Sequence, residues 1–184
     1  MSKIAIFMAE GCEEIEGLAV VDILRRAKME IDMVSISDSL SVKSSHGVVF
    51  QTDKLISQVD FSEYDGVVLP GGIPGTPNLG ANPKVVETIK SFAEGGKLVA
   101  AICAAPSVLG ENGLLQGKKA TSYPGFAEKM KGCTYLEDRV VVDGNIITSR
   151  GMGTVIDFAL TIVEYFKNHE EAVALGEKFM YKNF

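Results

Sequence analysis

The sequence lacks tryptophan and contains only two histidines and three cysteines. Cys12, Cys103 and Cys133 are widely spaced and odd in number, and none belongs to a CxxC motif or a cysteine–histidine cluster. This pattern indicates neither a structural zinc site nor a disulfide framework. We therefore expect a cytoplasmic protein with reduced thiols. We also expect no bound metal and no cofactor.

Long apolar runs and basic clusters are also missing. The apolar stretch near the N-terminus is too short for a signal peptide, and no stretch approaches the ~20 apolar residues of a membrane span. The net charge is −6, and no group of lysines and arginines is dense enough to neutralise a run of phosphates. We expect no nucleic-acid partner and no membrane partner.

What the chain does contain is typical of a globular protein, with 46% hydrophobic and 23% charged residues among 184. Apolar strands are predicted at residues 4–8, 30–37, 64–69 and 98–102, and helices alternate with them at 13–27, 84–93 and 105–111. This alternation predicts an α/β fold with an open, mainly parallel, doubly wound sheet in one domain over residues 1–184.

The rest of the chain adds shorter elements. Two strands joined by Asp143-Gly144, at 139–142 and 145–148, have the signature of a hairpin. A short strand is predicted at 120–122, and helices are predicted from Thr154 to Phe166 and over 170–179. Residues 74–83, which are rich in proline, glycine and asparagine, are predicted to form a loop.

One segment ends at a cysteine that is a candidate reactive thiol. The apolar run that ends at Ile102 predicts a buried parallel strand, and Pro106 suits the first turn of the next helix. Cys103 is therefore expected on a sharp strand-to-helix turn, with its sulfur at the positive end of a helix dipole, which favours the thiolate. The alternative is a small packing residue, since free cysteine is among the most buried residue types.

Two other loops are expected at the same edge of the sheet. Glu16 lies in the first turn of the helix over 13–27, next to a core position, and its side chain is expected to point inward. Gly71 and Gly72 follow the strand over 64–69 and expose backbone N–H groups. Ligands of doubly wound sheets bind at the carboxyl ends of the strands, so these residues and Cys103 predict one site.

Glu13, Glu14 and His46 have simpler predicted roles. The two glutamates are expected to solvate and stabilise the N-terminal end of their helix. His46 lies in the turn of a predicted hairpin formed by residues 40–44 and 48–52. Histidines in such loops are usually solvated, and a functional role for His46 is the alternative.

Four segments together resemble the ThiJ/PfpI superfamily, most closely the branch that contains the parkinsonism-associated deglycase and the bacterial YajL protein. The segments cover nearly the whole chain in order: 9–16 (AEGCEEIE), 67–72 (VVLPGG), 100–106 (AAICAAP) and 148–154 (TSRGMGT). The resemblance implies a flavodoxin-like α/β sandwich and a homodimer. It places the nucleophile at Cys103 and the glutamate that faces it at Glu16. It places the oxyanion-type backbone donors at Gly71, Gly72 and Ala104.

The implied chemistry is attack of a cysteine thiolate on an aldehyde such as glyoxal or methylglyoxal, or on their early adducts with proteins or nucleotides. The backbone donors would stabilise the alkoxide and Glu16 would shuttle a proton. With the same residues, an alternative is a non-catalytic redox sensor or chaperone-like dimer in which Cys103 is oxidised.

The chain departs from the family pattern in ways that bear on activity. Tyr123 stands where many relatives have a histidine, so no cysteine–histidine dyad can be assigned there. Ala104 stands where the peptidases of the superfamily have a histidine, which disfavours a protease. Arg26 and Arg150 match family positions that contact substrate or the dimer interface, and His46 replaces an arginine near that interface. Met152 replaces a proline.

Overall fold

A computed structural model describes residues 2–182 of the protein. Residues 1, 183 and 184 of the predicted domain lie outside the described residues. The strands follow one another along the chain in the predicted order. The strands are β1 (Lys3–Met8), β2 (Glu30–Ser35), β3 (Ser41–Lys43), β4 (Val49–Gln51), β5 (Lys54–Leu55), β6 (Gly66–Leu69), β7 (Leu98–Ile102), β8 (Lys119–Ala120), β9 (Thr134–Tyr135), β10 (Val140–Asp143) and β11 (Ile146–Ser149). The helices are α1 (Glu14–Arg26), α2 (Gly75–Ala81), α3 (Pro83–Glu94), α4 (Pro106–Glu111), α5 (Val155–Phe166) and α6 (His169–Lys178). Short 3-10 helices cover Ile56–Gln58, Phe61–Glu63, Pro124–Lys129 and Met152–Thr154.

Seven strands form the central sheet in the order β10-β11-β7-β6-β1-β2-β5. Neighbouring strands are parallel except at the β10–β11 hairpin, which is antiparallel. The predicted α/β sandwich with a mainly parallel sheet is therefore confirmed. The hairpin predicted around residue 46 is also confirmed, as the antiparallel pair β3–β4.

Side chains along each strand alternate between the two faces of the sheet, and a hydrophobic core lies on each face. Ile4, Ile6 and Met8 of β1 face the layer of α1, α5 and α6, whereas Ala5 and Phe7 face the layer of α2, α3 and α4. Successive side chains of a strand point to opposite faces, so a strand covered on both sides is apolar along its length, as β6 and β7 are and as β1 is after Lys3.

The predicted loop over residues 74–83 is wrong, because α2 occupies most of it. Leu79 of α2 is fully buried in the core, and this tertiary contact outweighs the weak helix propensity of the glycines and the proline. Pro77 lies in the first turn of the helix, where a missing N–H leaves no intrahelical bond unmade.

The strand order decides which loops meet. β1, β6, β7 and β11 lie side by side and run parallel, so the segments that follow them leave from one edge of the sheet. The order in which strands are added to the sheet reverses between β1 and β6, because β2 lies on one side of β1, whereas β6, β7 and β11 lie on the other. Such a switch point opens a crevice for ligands in this class of fold. Within residues 2–182, no helix is long and apolar enough to cross a bilayer.

Candidate active site

Cys103 lies on a tight turn between β7 and α4 and is half-buried. Its φ angle is +65°, in the left-handed region that L side chains seldom adopt and that costs about 1–3 kcal/mol. Two backbone bonds fix this conformation: the Cys103 N–H donates to the Ser149 carbonyl at 3.0 Å, and the Cys103 carbonyl accepts from the Tyr123 N–H at 2.8 Å. The surrounding loops therefore hold the turn in its strained form.

Glu16 is the buried acid of the site. It is only 1% exposed although it belongs to the first turn of α1. Its Oε2 accepts a hydrogen bond from the Gly71 N–H at 2.9 Å, and its carboxyl group is also hydrogen-bonded to the Cys103 thiol. The structure thus places Glu16 and Cys103 in direct contact at the carboxyl edge of the sheet.

The two glycines differ in what they do. The Gly71 N–H donates to the Glu16 carboxyl group, and its role as an oxyanion donor stays a prediction. A Cβ on Gly71 would lie 2.7 Å from both the Cys103 Cβ and the Glu16 Oε2, so this position requires glycine for space. The Gly72 and Ala104 N–H groups, in contrast, are hydrogen-bonded to the Cys103 sulfur.

The protonation of the pair is set mainly by burial. Burial raises the pKa of Glu16 to about 7, against the opposing hydrogen bonds from Cys103 and Gly71. Burial and then the Glu16 charge raise the pKa of Cys103 to about 12, and the N–H groups of Ala104 and Gly72 oppose this only in part. The pair therefore loses its first proton near neutral pH, and repulsion between adjacent anions delays the second.

Burial beside Glu16 therefore opposes the thiolate that the helix dipole is expected to favour. The prediction rested on the dipole of the helix after Cys103, but α4 has only six residues. Two amide hydrogen bonds do not compensate for burial of the sulfur beside a carboxylate. The sequence pattern located the turn but carried no information about the desolvation of its side chain.

Gly151 and Tyr123 form a further wall of the site. A Cβ on Gly151 would lie 3.9 Å from the Cys103 sulfur and 3.5 Å from Cδ2 of the Tyr123 ring. The Gly151 backbone is held by Thr154, whose Oγ1 accepts from the Gly151 N–H at 3.1 Å and lies 2.7 Å from the Ser149 hydroxyl. Sequence analysis missed this support, although the threonine three residues after Gly151 was a signal for a local cap.

The predicted ligand or interface residues other than Tyr123 have their own partners. Arg26 lies in the last turn of α1 and is paired with Asp22 at 2.7 Å. The Arg150 guanidinium donates to the Glu137 carbonyl at 3.0 Å. Neither contact leads to Cys103, so the structure does not bring these two side chains to the sulfur.

His46 belongs to a polar cluster on the surface beside α1. Its Nδ1 lies 3.2 Å from a Glu14 carboxylate oxygen and 3.4 Å from one of Glu13, and the hydrogen bond to Glu14 is the main cause of its raised pKa. Among the described residues, these three form a group with the donor set of a metal site, since their ligand atoms lie within 4.8 Å of one another. The mutual hydrogen bonds explain the cluster without an ion.

Comparison with known proteins assigns the family. Residues 2–165 match the model of the DJ-1/PfpI family. The chain belongs to this family. The resemblance inferred from four short segments is thereby confirmed over most of the chain.

Relatives in the DJ-1/PfpI family include both curated proteins and solved structures. Protein DJ-1 homolog B of Arabidopsis thaliana is 41% identical over 176 residues, which are 95% of this chain and 40% of that relative. The chain thus spans well under half the length of this relative. The glutathione-independent glyoxalase DJR-1.2 of Caenorhabditis elegans is 33% identical over 95% of this chain and 93% of its own. The structure of oxidized Toxoplasma gondii DJ-1 superposes with a TM-score of 0.95 at 38% identity, covering 98% of this chain and 99% of the other.

The buried Glu16 predicts an unusual dependence of stability on pH. Its pKa is about 7 in the folded protein against an ordinary value of 4.5, so folding favours the protonated form. The stabilisation is complete below pH 4.5 and is lost as pH rises through 7. The difference corresponds to at most about 3 kcal/mol in the free energy of unfolding. Urea denaturation at pH 5 and pH 8 should show this loss in the wild type and not in Glu16→Gln. An equal change in the free energy of unfolding between pH 5 and pH 8 in the two proteins would contradict the assignment.

Close packing at Gly71 leads to a second prediction. In Gly71→Ala, the new methyl group displaces the Cys103 or Glu16 side chain, and overpacking of this kind destabilises by about 1–3 kcal/mol. The matched control is Gly125→Ala, since a Cβ there meets nothing within 4 Å. Urea denaturation should show the loss only at Gly71. A Gly71→Ala variant as stable as the control would refute the packing described.

Proposed function

We propose that this protein is a cysteine-dependent, cofactor-free enzyme that converts small 2-oxoaldehydes, such as methylglyoxal and glyoxal, or their early adducts, into hydroxy acids. One observation carries the proposal: a buried carboxyl group hydrogen-bonded to a thiol on a strained turn, with two N–H groups on the same sulfur. The printed name of the Caenorhabditis elegans relative, a glutathione-independent glyoxalase, supports the same reaction class.

In the first step the Cys103 sulfur attacks the aldehyde carbon. A new C–S bond forms, the carbonyl π electrons move to the oxygen, and the thiol proton passes to the ionised Glu16 carboxylate. A carboxylate with a pKa of about 7 is well matched to this general-base role near neutral pH. The Gly72 and Ala104 N–H groups are available to stabilise the developing alkoxide, and one such donor contributes about 10²–10³ in rate.

In the second stage the hemithioacetal rearranges. Glu16 returns the thiol proton to the alkoxide and then, as a carboxylate, removes the proton from the former aldehyde carbon, whose C–H electron pair forms an enediolate. Glu16 delivers that proton to the neighbouring carbon, where a new C–H bond forms, and the hydroxyl proton of the former aldehyde carbon passes to the neighbouring oxygen. The former aldehyde carbon is thereby oxidised to the acyl level of a thioester, and the neighbouring carbonyl carbon is reduced to an alcohol. Water then cleaves the thioester, which releases the 2-hydroxy acid and restores the thiol. Oxidation and reduction balance within the substrate, so the reaction requires no external electron carrier.

We also propose where the enzyme is located and how it assembles. We place the enzyme in the cytoplasm, since its three cysteines are all free and reduced thiols are the norm there. We also propose that it acts as a homodimer, as the family resemblance implies.

A redox sensor remains the second candidate because the same sulfur is partly accessible and one relative has been solved in oxidized form. A sulfinate on Cys103 would accept hydrogen bonds from the Gly72 and Ala104 N–H groups and from protonated Glu16. The raised pKa of the thiol slows oxidation, since the thiolate is the form that peroxide attacks.

Turnover of methylglyoxal tests the proposal. Lactate formation by purified protein should be abolished in Cys103→Ser and lowered about 10²–10⁴-fold in Glu16→Gln, the usual contribution of a general base. The wild-type kcat/KM should rise with pH through about 7 as Glu16 ionises, and this limb should disappear in Glu16→Gln.

The control is Cys133→Ser, a half-buried cysteine whose thiol bonds to the Met130 carbonyl, and it should retain full turnover. Absence of lactate from the wild type, together with a mass gain of two oxygens on Cys103 after mild peroxide, would favour the sensor instead.

A further inference from the structure

Three exposed apolar residues, which we call the collar, lie on the loops that bound the site. Ile73, Tyr123 and Met152 are 56%, 52% and 52% exposed, and each adjoins a backbone group that bounds Cys103. Ile73 follows Gly72, Met152 follows Gly151, and the Tyr123 N–H donates to the Cys103 carbonyl. Single exposed apolar side chains are ordinary, but three on the loops that bound one sulfur are a feature of the kind that marks a binding surface.

One collar residue, Ile73, also lines a cleft of about 320 Å³. The cleft lies between α2, α4 and the 3-10 helix Pro124–Lys129, which begins directly after Tyr123. Ile73 belongs to both collar and cleft, and Pro77, Val108 and Phe126 supply further apolar lining. Such a volume is far larger than the hydrogen or methyl substituent of glyoxal or methylglyoxal requires.

Charge around the collar and cleft disfavours an anionic substrate. Lys129 is paired with Glu111 at 3.6 Å, and Arg150 is bound to the Glu137 carbonyl. No other lysine or arginine occurs in α2, in α4 or in residues 149–154. On the other side of the sulfur, Glu16 contributes negative charge as it ionises. A phosphate or carboxylate on the substrate would meet no free cation from these elements.

We propose that the collar and cleft select neutral 2-oxoaldehydes with a large apolar substituent, aromatic or branched, over glyoxal and methylglyoxal. This specificity rests on the proposed function: the aldehyde carbon reacts at the Cys103 sulfur while the substituent lies across Ile73 toward Phe126. Burial of the substituent removes its apolar surface from water, which lowers the free energy of the bound transition state.

Kinetics with phenylglyoxal and glyoxal test the specificity. The ratio of their kcat/KM values should favour phenylglyoxal, and Ile73→Ala or Phe126→Ala should lower this ratio about tenfold, as is usual when a pocket loses a few apolar groups. Comparison between variants cancels the difference in intrinsic reactivity of the two aldehydes. The control is Val142→Ala, an exposed apolar residue on β10, which should leave the ratio unchanged.

The possible outcomes separate the two proposals. If the aldehydes are turned over but neither Ile73→Ala nor Phe126→Ala changes the ratio of kcat/KM values, the proposed specificity is overturned. The proposed enzymatic function then stands. If no aldehyde is turned over, calorimetry of acetophenone with Cys103→Ser decides: binding weakened about tenfold by Phe126→Ala supports the apolar subsite, and absence of binding overturns it. A Met152→Asp variant that changes the sedimentation of the protein but not the ratio would assign the collar to contact with a second copy, which also overturns the proposal.

Discussion

The buried contact between the Glu16 carboxyl group and the Cys103 thiol is the interaction on which the account of this protein depends. Burial disfavours the charged form of each group and therefore raises the pKa of both. Gly71 makes the contact possible in two ways. Its missing side chain leaves space for the two groups, and its N–H donates a hydrogen bond to the Glu16 carboxyl oxygen. A pair that carries one negative charge near neutral pH has both a proton acceptor and a nucleophile within one hydrogen bond.

Sheet topology explains why this pair exists. Residues 16, 71 and 103 are far apart in sequence, but β1, β6 and β7 are adjacent and parallel. Glu16 reaches the edge because α1 starts a few residues after β1, and Cys103 because β7 ends at Ile102. The wall formed by Gly151 comes from β11, the next strand in the sheet. Four local sequence signals thus become one site through strand order alone.

Sequence reasoning succeeded where local pattern determines the outcome. Apolar runs located β1, β6 and β7, the Asp143-Gly144 turn located the β10–β11 hairpin, and motif order identified the family. It failed at α2, where burial of Leu79 overrides glycine and proline content. It also did not predict that the Gly71 N–H donates to Glu16 or that burial raises the pKa of Cys103, because hydrogen-bond partners and desolvation depend on tertiary contacts. The surroundings of Tyr123 and Met152 likewise became interpretable only after the loops were placed around the sulfur.

The reactivity of Cys103 as a function of pH tests the central contact most directly. The rate of alkylation by iodoacetamide, followed by mass spectrometry of the Cys103 peptide, should rise in wild-type protein first near pH 7 and again at high pH, as expected for two coupled groups. In Glu16→Gln the step near pH 7 should be absent and the remaining step should move to lower pH, because the neighbouring charge is gone. Identical profiles for the two proteins would contradict the account.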